Sequence, residues 1–185
     1  MTEISVVLPI YDEVEHLMAL YQELNEAMIQ LGLSYELIFV SDGSTDGSSE
    51  LIEQITLQNT GVIGIILSRN FGHQAALMAG IERATGQLTI TMDADFQHPI
   101  SELPKMIEAS KNGADIVNMI RTGKEQGGRA KRLTSRWFYR IVNRFGEVKI
   151  ESNAADFRLM NGRAKEAFLR LKEKERFTRG LIAWI

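Results

Sequence analysis

The chain has 185 residues, enough for one domain with a real core and short for two. A hydrophobic fraction of 44% with 24% charged residues is that of a soluble globular protein, and a formal net charge of −3 offers no basic field for nucleic acid. The absence of cysteine excludes a disulfide framework and thiolate metal sites and fits the cytosol.

In chain order, short apolar runs alternate with amphipathic segments. Ile4 to Ile10 predicts a buried strand stopped near Pro9. Residues 12–31 predict a helix with Leu17, Leu20, Leu24, Met28 and Leu31 on one face. Tyr35 to Ser41 predicts a second strand. DGSTDG (42–47) predicts a turn, followed by a helix over 48–57 with Ser or Thr available as caps. A third strand is expected over 61–68 and a small-residue helix, able to pack closely, over 75–84. A fourth strand over 87–92, a helix over 101–112 and a fifth strand over 114–120 complete the series. A βαβα succession with short connections implies a mostly parallel, Rossmann-like sheet with helices on both faces.

Beyond residue 120 the pattern changes. Residues 121–128 are a Gly-rich polar loop. Residues 129–145 set Leu133, Trp137, Phe138 and Ile141 against Arg132, Arg136, Arg140 and Arg144. Such a segment is either a surface helix or one that faces a membrane or an acidic ligand. No run reaches about 18 apolar residues, and MTEISVVLPIYDE lacks the marks of a signal peptide. The chain ends within an apolar run, RGLIAWI, which suggests a piece of a longer protein.

Open α/β sheets bind ligands beyond the carboxyl ends of their strands. Here those ends carry Pro9-Ile10-Tyr11-Asp12-Glu13, Ser41-Asp42-Gly43-Ser44, Ser68-Arg69-Asn70 and Asp93-Ala94-Asp95. One polar end means little, since loops are polar by default; four on one edge mark a site. Asp46 reads better as a turn or cap residue, whereas Asp42 at a strand end reads as a binder. Asp93 and Asp95 are either solvated loop acids or ligands of Mg²⁺ or Mn²⁺, whose hard-oxygen preference they fit. His73 and His98 belong to no metal-spaced cluster, and His98 is at most a positioning residue. There is no G-x-G-x-x-G after the first strand and no P-loop, so phosphate charge is left to a metal and to arginines. Arg176 and Arg179, three apart, either clamp a diphosphate or form solvent ion pairs, and Asp156 is a possible base or orienting acid.

The stretches VVLPIYDEVEHL, FVSDGSTDGS, LSRNFGHQAALMAG, TMDADFQHP, ADFRLMNGRA and RFTRGLIAWI together resemble the family-2 glycosyltransferases of GT-A fold, in particular the polyprenyl-phosphate glycosyltransferases. The resemblance implies a single catalytic domain over 1–185, cut before C-terminal interfacial and transmembrane helices, with the full-length protein on the cytoplasmic face of the cell membrane. It implies a nucleoside pocket at Pro9, Tyr11, Glu13 and Asp42, with Asn70 and Ala94 in the same nucleotide-sugar site. Asp93 would lie by the ribose and the metal, Asp95 on the Mg²⁺ or Mn²⁺ bridging the diphosphate, and Gln97 near the sugar. Arg176 and Arg179 would approach the phosphates or the acceptor, and Asp156 matches the acid proposed as base. Two departures are Ser41, where the family commonly has Asp, and Asp12, where Asn is common.

The activity so implied is inverting transfer of a hexose from a nucleotide diphosphate sugar, UDP-linked by preference, to a polyprenyl phosphate. The catalytic set would be Asp95, Arg179 and Asp156. The partners would be a sugar nucleotide, a lipid phosphate and an anionic membrane surface, with an oligomer open. The competing readings are a same-fold transferase acting on a hydroxyl or polysaccharide, a nucleotide-sugar-binding domain without turnover, and a nucleotidyltransferase. The last is disfavoured by the acidic YDEVEH after the first strand.

Overall fold

Apolar runs buried on both faces make the centre of the sheet, and polar residues collect at its two edges. The computed structural model describes residues 2–95, 98–120 and 154–171. Among these, the strands are β1 (Ile4–Ile10), β2 (Tyr35–Ser41), β3 (Val62–Ile66), β4 (Leu88–Thr91), β5 (Ile116–Ile120) and β6 (Ala154–Asn161). The helices are α1 (Val14–Leu31), α2 (Ser48–Gln58), α3 (His73–Arg83), α4 (Leu103–Lys111) and α5 (Gly162–Arg170), with a 3₁₀ turn at Ile100–Glu102. The strand order is β3-β2-β1-β4-β6-β5.

β1 is buried along its whole length and pairs in parallel with β2 on one side and β4 on the other. The expected strands and helices up to residue 120 are all present, within a few residues of their expected bounds. β6 is the addition: the sequence reading treats residues 153–159 as a motif and assigns them no strand. The chain instead returns antiparallel to both β4 and β5. Phe157 and Leu159 face the core on one side of the sheet, while Met160 faces the core on the other. Arg158 is 1% exposed and sits opposite Thr91 and Asn118. A buried arginine in the middle of the run hides the alternation of a strand. The β5–β6 pairing is irregular between Asn118 and Ile120 and closes with Ile120 opposite Ala154.

α1, α2 and α4 cover one face through Leu17, Leu24, Ile52, Ile55 and Met106. α3 and α5 cover the other through Ala76, Leu77, Ile81, Ala164 and Phe168. The small residues of α3 allow the close packing expected of them: a Cβ on Gly80 would stand 2.2 Å from Val7 Cγ1. α2 departs from expectation at its start. Its N-cap is Gly47 at φ 99°, with no Ser or Thr cap, and the acceptor for the Ser48 amide is Asp46. No described helix is long and apolar enough to cross a membrane.

The amino edge of the sheet carries a closed polar knot. Glu36 Oε1 accepts from Ser5 Oγ at 2.6 Å, the Thr85 amide at 2.7 Å and Thr85 Oγ1 at 3.0 Å. Ser5 Oγ in turn accepts from the Gly86 amide at 2.7 Å. Burial pushes the Glu36 carboxyl up, but the hydrogen bonds from Ser5 and Thr85 outweigh it and hold the group below the ordinary glutamate value.

Candidate active site

The strand order reverses direction between β1 and β4, since β2 and β3 lie on one side of β1 and β4 on the other. Such a switch point opens a crevice at the carboxyl edge. Pro9 opens it further. The amides of Leu88 and Met92 donate to Glu3 and Val7 carbonyls, so alternate β1 residues, and with them Pro9, face β4. Proline has no N–H, and the β1–β4 register ends at Val7 opposite Thr91. On the β2 side β1 continues to Ile10 opposite Ser41. Met92 is the last residue held by β1, and residues 93–95 leave the sheet beyond it.

The loop after β2 is fixed by its own acids. Asp46 accepts from the Val14 amide through Oδ2 at 2.9 Å, and from the Ser48 amide and hydroxyl through Oδ1 at 2.9 and 2.6 Å. Burial raises its carboxyl, but these bonds outweigh burial and hold it below the ordinary aspartate value. Asp46 thus ties the start of α1 to the start of α2, as a turn and cap residue does. Asp12, at φ 53°, accepts from the Thr45 amide at 2.8 Å.

Asp42 is 2% exposed, and both its oxygens are engaged: Oδ1 accepts from the Phe71 amide at 2.7 Å and Oδ2 from the Gly72 amide at 2.9 Å. Its neighbour Gly43 has φ 66°, and a Cβ there would fall 2.3 Å from the Arg69 carbonyl carbon. The loop after β2 and the loop after β3 therefore lie backbone against backbone, which only glycine permits. Arg69 sits over the Phe71 ring at 4.4 Å, and both Phe71 and Tyr11 are about half exposed at this rim.

Asp93 lies where the sheet opens. Its Oδ2 is 3.0 Å from His98 Nε2 and its Oδ1 3.5 Å from His73 Nε2, at the first residue of α3. His98 is 4% exposed and its ring packs on Phe157 at 5.1 Å. Asp95 is exposed. The sequence reading leaves both histidines outside any cluster; the structure brings His98, but not His73, into one. One ligand atom each from Asp93, Asp95 and His98 lies within 4.8 Å of the others. His98 escapes sequence reasoning because an i, i+5 spacing on a loop follows no helix or strand period.

Of the other expected site residues, Pro9, Ala94 and Asp42 are buried, Glu13 is half-buried and Asn70 is exposed. The Glu13 amide donates to Ser48 Oγ at 3.0 Å. Asp156 lies in β6, two residues from Arg158 and on the carboxyl side of β4's last paired residue. Gln97, Arg176, Arg179 and the basic segment 129–145 lie outside the described residues.

The donor set fits a divalent cation. Two carboxylates and an imidazole are ligands of Mn²⁺-type ions, whose bonds of about 2.1 Å place opposed ligand atoms about 4.2 Å apart. Asp93 Oδ1 is also a buried oxygen with no hydrogen-bond donor among the described residues, His73 Nε2 standing 3.5 Å away, and an oxygen in that state is open to a ligand.

The six-stranded, mostly parallel sheet with helices on both faces is that of the GT-A glycosyltransferase fold. Residues 5–168 match the model of glycosyl transferase family 2, and the chain belongs to that family. It is 35% identical over 183 residues to the bactoprenol glucosyl transferase of Shigella phage SfX, covering 99% of this chain and 60% of that one. It is 39% identical over 181 residues to the uncharacterized glycosyltransferase YkcC of Bacillus subtilis, covering 98% and 56%. The chain thus spans 56–60% of the length of these relatives. Among solved structures, glucosyl-3-phosphoglycerate synthase from Mycobacterium tuberculosis, in complex with Mn²⁺, UDP and phosphoglyceric acid, superposes with a TM-score of 0.61. The identity is 19%, over 92% of this chain and 58% of that one. The mannosyltransferase PcManGT from Pyrobaculum calidifontis, in complex with GDP-Man and Mn²⁺, gives 0.56 at 17% identity, over 89% and 46%.

Proposed function

We propose that this chain is the sugar-transferring part of a polyprenyl-phosphate hexosyltransferase, taking a hexose from a nucleotide diphosphate sugar, UDP-linked by preference, with inversion. The observation that carries the reading is the Asp93–Asp95–His98 cluster at the β1–β4 crevice. The 35% identity to bactoprenol glucosyl transferases over 99% of the chain supports the lipid acceptor.

In the reaction an oxygen of the acceptor phosphate attacks the anomeric carbon from the face opposite the nucleotide. The bond from that carbon to the β-phosphate oxygen breaks, and the nucleoside diphosphate leaves with the electron pair. A bound Mg²⁺ or Mn²⁺ would neutralise the charge that grows on the leaving diphosphate. Asp93 and Asp95 would hold that charge partner at the crevice. Tyr11 and the loop pinned by Asp42 wall the nucleoside side; the role expected of Arg176 and Arg179 falls on residues outside those described. The basic segment 129–145 meets the anionic membrane that carries the lipid phosphate.

The acceptor removes the need for a base. A phosphomonoester has a second pKa of roughly 6 and is largely ionised near neutrality. Asp156 therefore orients the acceptor, where a transferase acting on a hydroxyl would need it to take a proton. Asp156→Asn is expected to keep turnover with a polyprenyl phosphate within about tenfold; a loss of several orders of magnitude would return the base role to it. A thermal-shift panel of UDP- and GDP-sugars with and without Mn²⁺ tests the whole reading. The expected result is metal-dependent stabilisation by a UDP-sugar, rising with concentration as RT ln(1 + [L]/Kd). No stabilisation by any sugar nucleotide with the metal present would overturn it.

A further inference from the structure

At the edge of the sheet away from β5, strand β3 has no neighbour on its outer side among the described residues. The Leu37 amide donates to the Gly61 carbonyl and the Leu67 amide to the Ser41 carbonyl, both at 2.9 Å. Residues 61, 63, 65 and 67 therefore turn their backbone to β2, and Val62, Gly64 and Ile66 turn theirs outward. The Val62 amide is taken by the Asn59 carbonyl at 3.1 Å, while Gly64 and Ile66 are exposed, Ile66 at 41%. Natural sheets guard such an edge with charge, proline or a bulge. Residues 60–68, TGVIGIILS, hold no charge and no proline, and the β2–β3 register runs without a shift. On one face α3 packs over β1 and β2, where a Cβ on Gly80 would meet Val7 and Val40. Ile63 and Ile65, beyond that helix, are only half-buried.

We propose that β3 is a docking edge for a second copy of this chain, the two β3 strands pairing antiparallel about a two-fold axis through Gly64. The rest of the chain is tethered elsewhere. Residues 121–153 leave from β5 and rejoin at β6, and residues beyond 171 follow α5, which packs on β4 and β6. A strand from either segment would have to cross β1 and β2 to reach β3. The edge is also complementary to itself. In this register Gly64 faces the partner's Gly64 and Val62 faces the partner's Ile66, all with outward backbone groups that can exchange hydrogen bonds. Ile63 faces the partner's Ile65 in the closely spaced kind of pair, so the two half-buried side chains cover each other. Gly64 leaves the axis free of side chains, and α2 requires it, since a Cβ there would stand 2.8 Å from Ile52 Cγ2. The axis stands normal to the sheet, so both copies turn the same helical face to one side and open their crevices at opposite ends.

Sedimentation equilibrium of the 185-residue chain is expected to show a monomer–dimer equilibrium with a Kd of about 10–100 μM, as suits a short edge. Ile66→Pro removes an outward N–H and no bond to β2. It should weaken dimerisation about tenfold or more, since the two-fold axis doubles each loss, and keep the urea midpoint of the monomer. Ile63→Lys should do the same by setting a charge against the partner's Ile65. The register is read separately, because the chain has no cysteine of its own. Ile63→Cys chains mixed with Ile65→Cys chains should oxidise to the mixed disulfide faster than either forms its own. A chain monomeric at about 500 μM would overturn the proposal. So would a dimer that both variants leave intact, one in which the like disulfides form faster, or one dispersed by about 0.5 M salt and so held by charge.

Discussion

Glu36 and Asp93 are both acids at ends of buried parallel strands, Glu36 at the amino edge of the sheet and Asp93 at the carboxyl edge. One oxygen of Glu36 takes three donors from fixed backbone and hydroxyl groups. Asp93 has a buried oxygen that accepts no hydrogen bond among the described residues, and two histidines beside it. Position alone does not separate these acids, because Asp42 and Asp46 share the carboxyl edge with Asp93 and yet hold backbone amides on both oxygens. What separates them is hydrogen-bond capacity left over after folding. A saturated carboxylate has its geometry fixed by its donors. An unsaturated one costs stability unless a ligand completes it.

The sharpest way to break this contrast is at Asp95. Asp95→Asn should lower sugar transfer by about 10²–10³-fold, the scale of losing one transition-state charge partner, with the urea midpoint unchanged. A fall in stability to match the fall in rate would class Asp95 with Glu36. Next comes Gly43→Ala, at the saturated part of the carboxyl edge. A methyl 2.3 Å from the Arg69 backbone at φ 66° should cost about 2–4 kcal/mol and reduce nucleotide binding as the 69–72 loop shifts. Smaller still, Glu36→Ala should cost about 1–3 kcal/mol by urea unfolding, through the donors it strands, and leave Mn²⁺ affinity untouched.

The same residue sharpens the contrast with pH. The folded Glu36 value lies below the ordinary value of 4.5, so its contribution is present above 4.5 and is lost as pH falls through the folded value. Glu36→Gln should flatten the acid limb of stability below pH 4.5; an acid limb as steep as that of the wild-type chain would remove Glu36 from this role.

Much of the architecture could be read before any coordinates. β1 to β5 and α1 to α4 announce themselves because buried runs such as ISVVLPI and stripes such as Leu17, Leu20, Leu24 and Met28 carry the period of their element. The placement of Asp93 and Asp95 beyond β4 was legible for the same reason. β6 was not, because Arg158 is buried where a polar residue signals solvent. α5 left a signal that periodicity alone passes over: Asn161 caps it, its side chain accepting from the Ala164 amide at 2.9 Å. The contacts of Asp42 were illegible in another way. Its type and position suit a ligand, and only tertiary contact shows that each of its oxygens also holds a backbone amide, of Phe71 and of Gly72.

The return of β6 has a consequence for how such a transferase can vary. β5 runs toward the catalytic rim and β6 starts from it, with Ile120 paired to Ala154. Residues 121–153 therefore leave and rejoin the sheet at one clasp beside the crevice. A segment held by such a clasp can be exchanged or lengthened without moving any strand. Its closure entropy grows only with the logarithm of its length, about 0.6 kcal/mol per doubling.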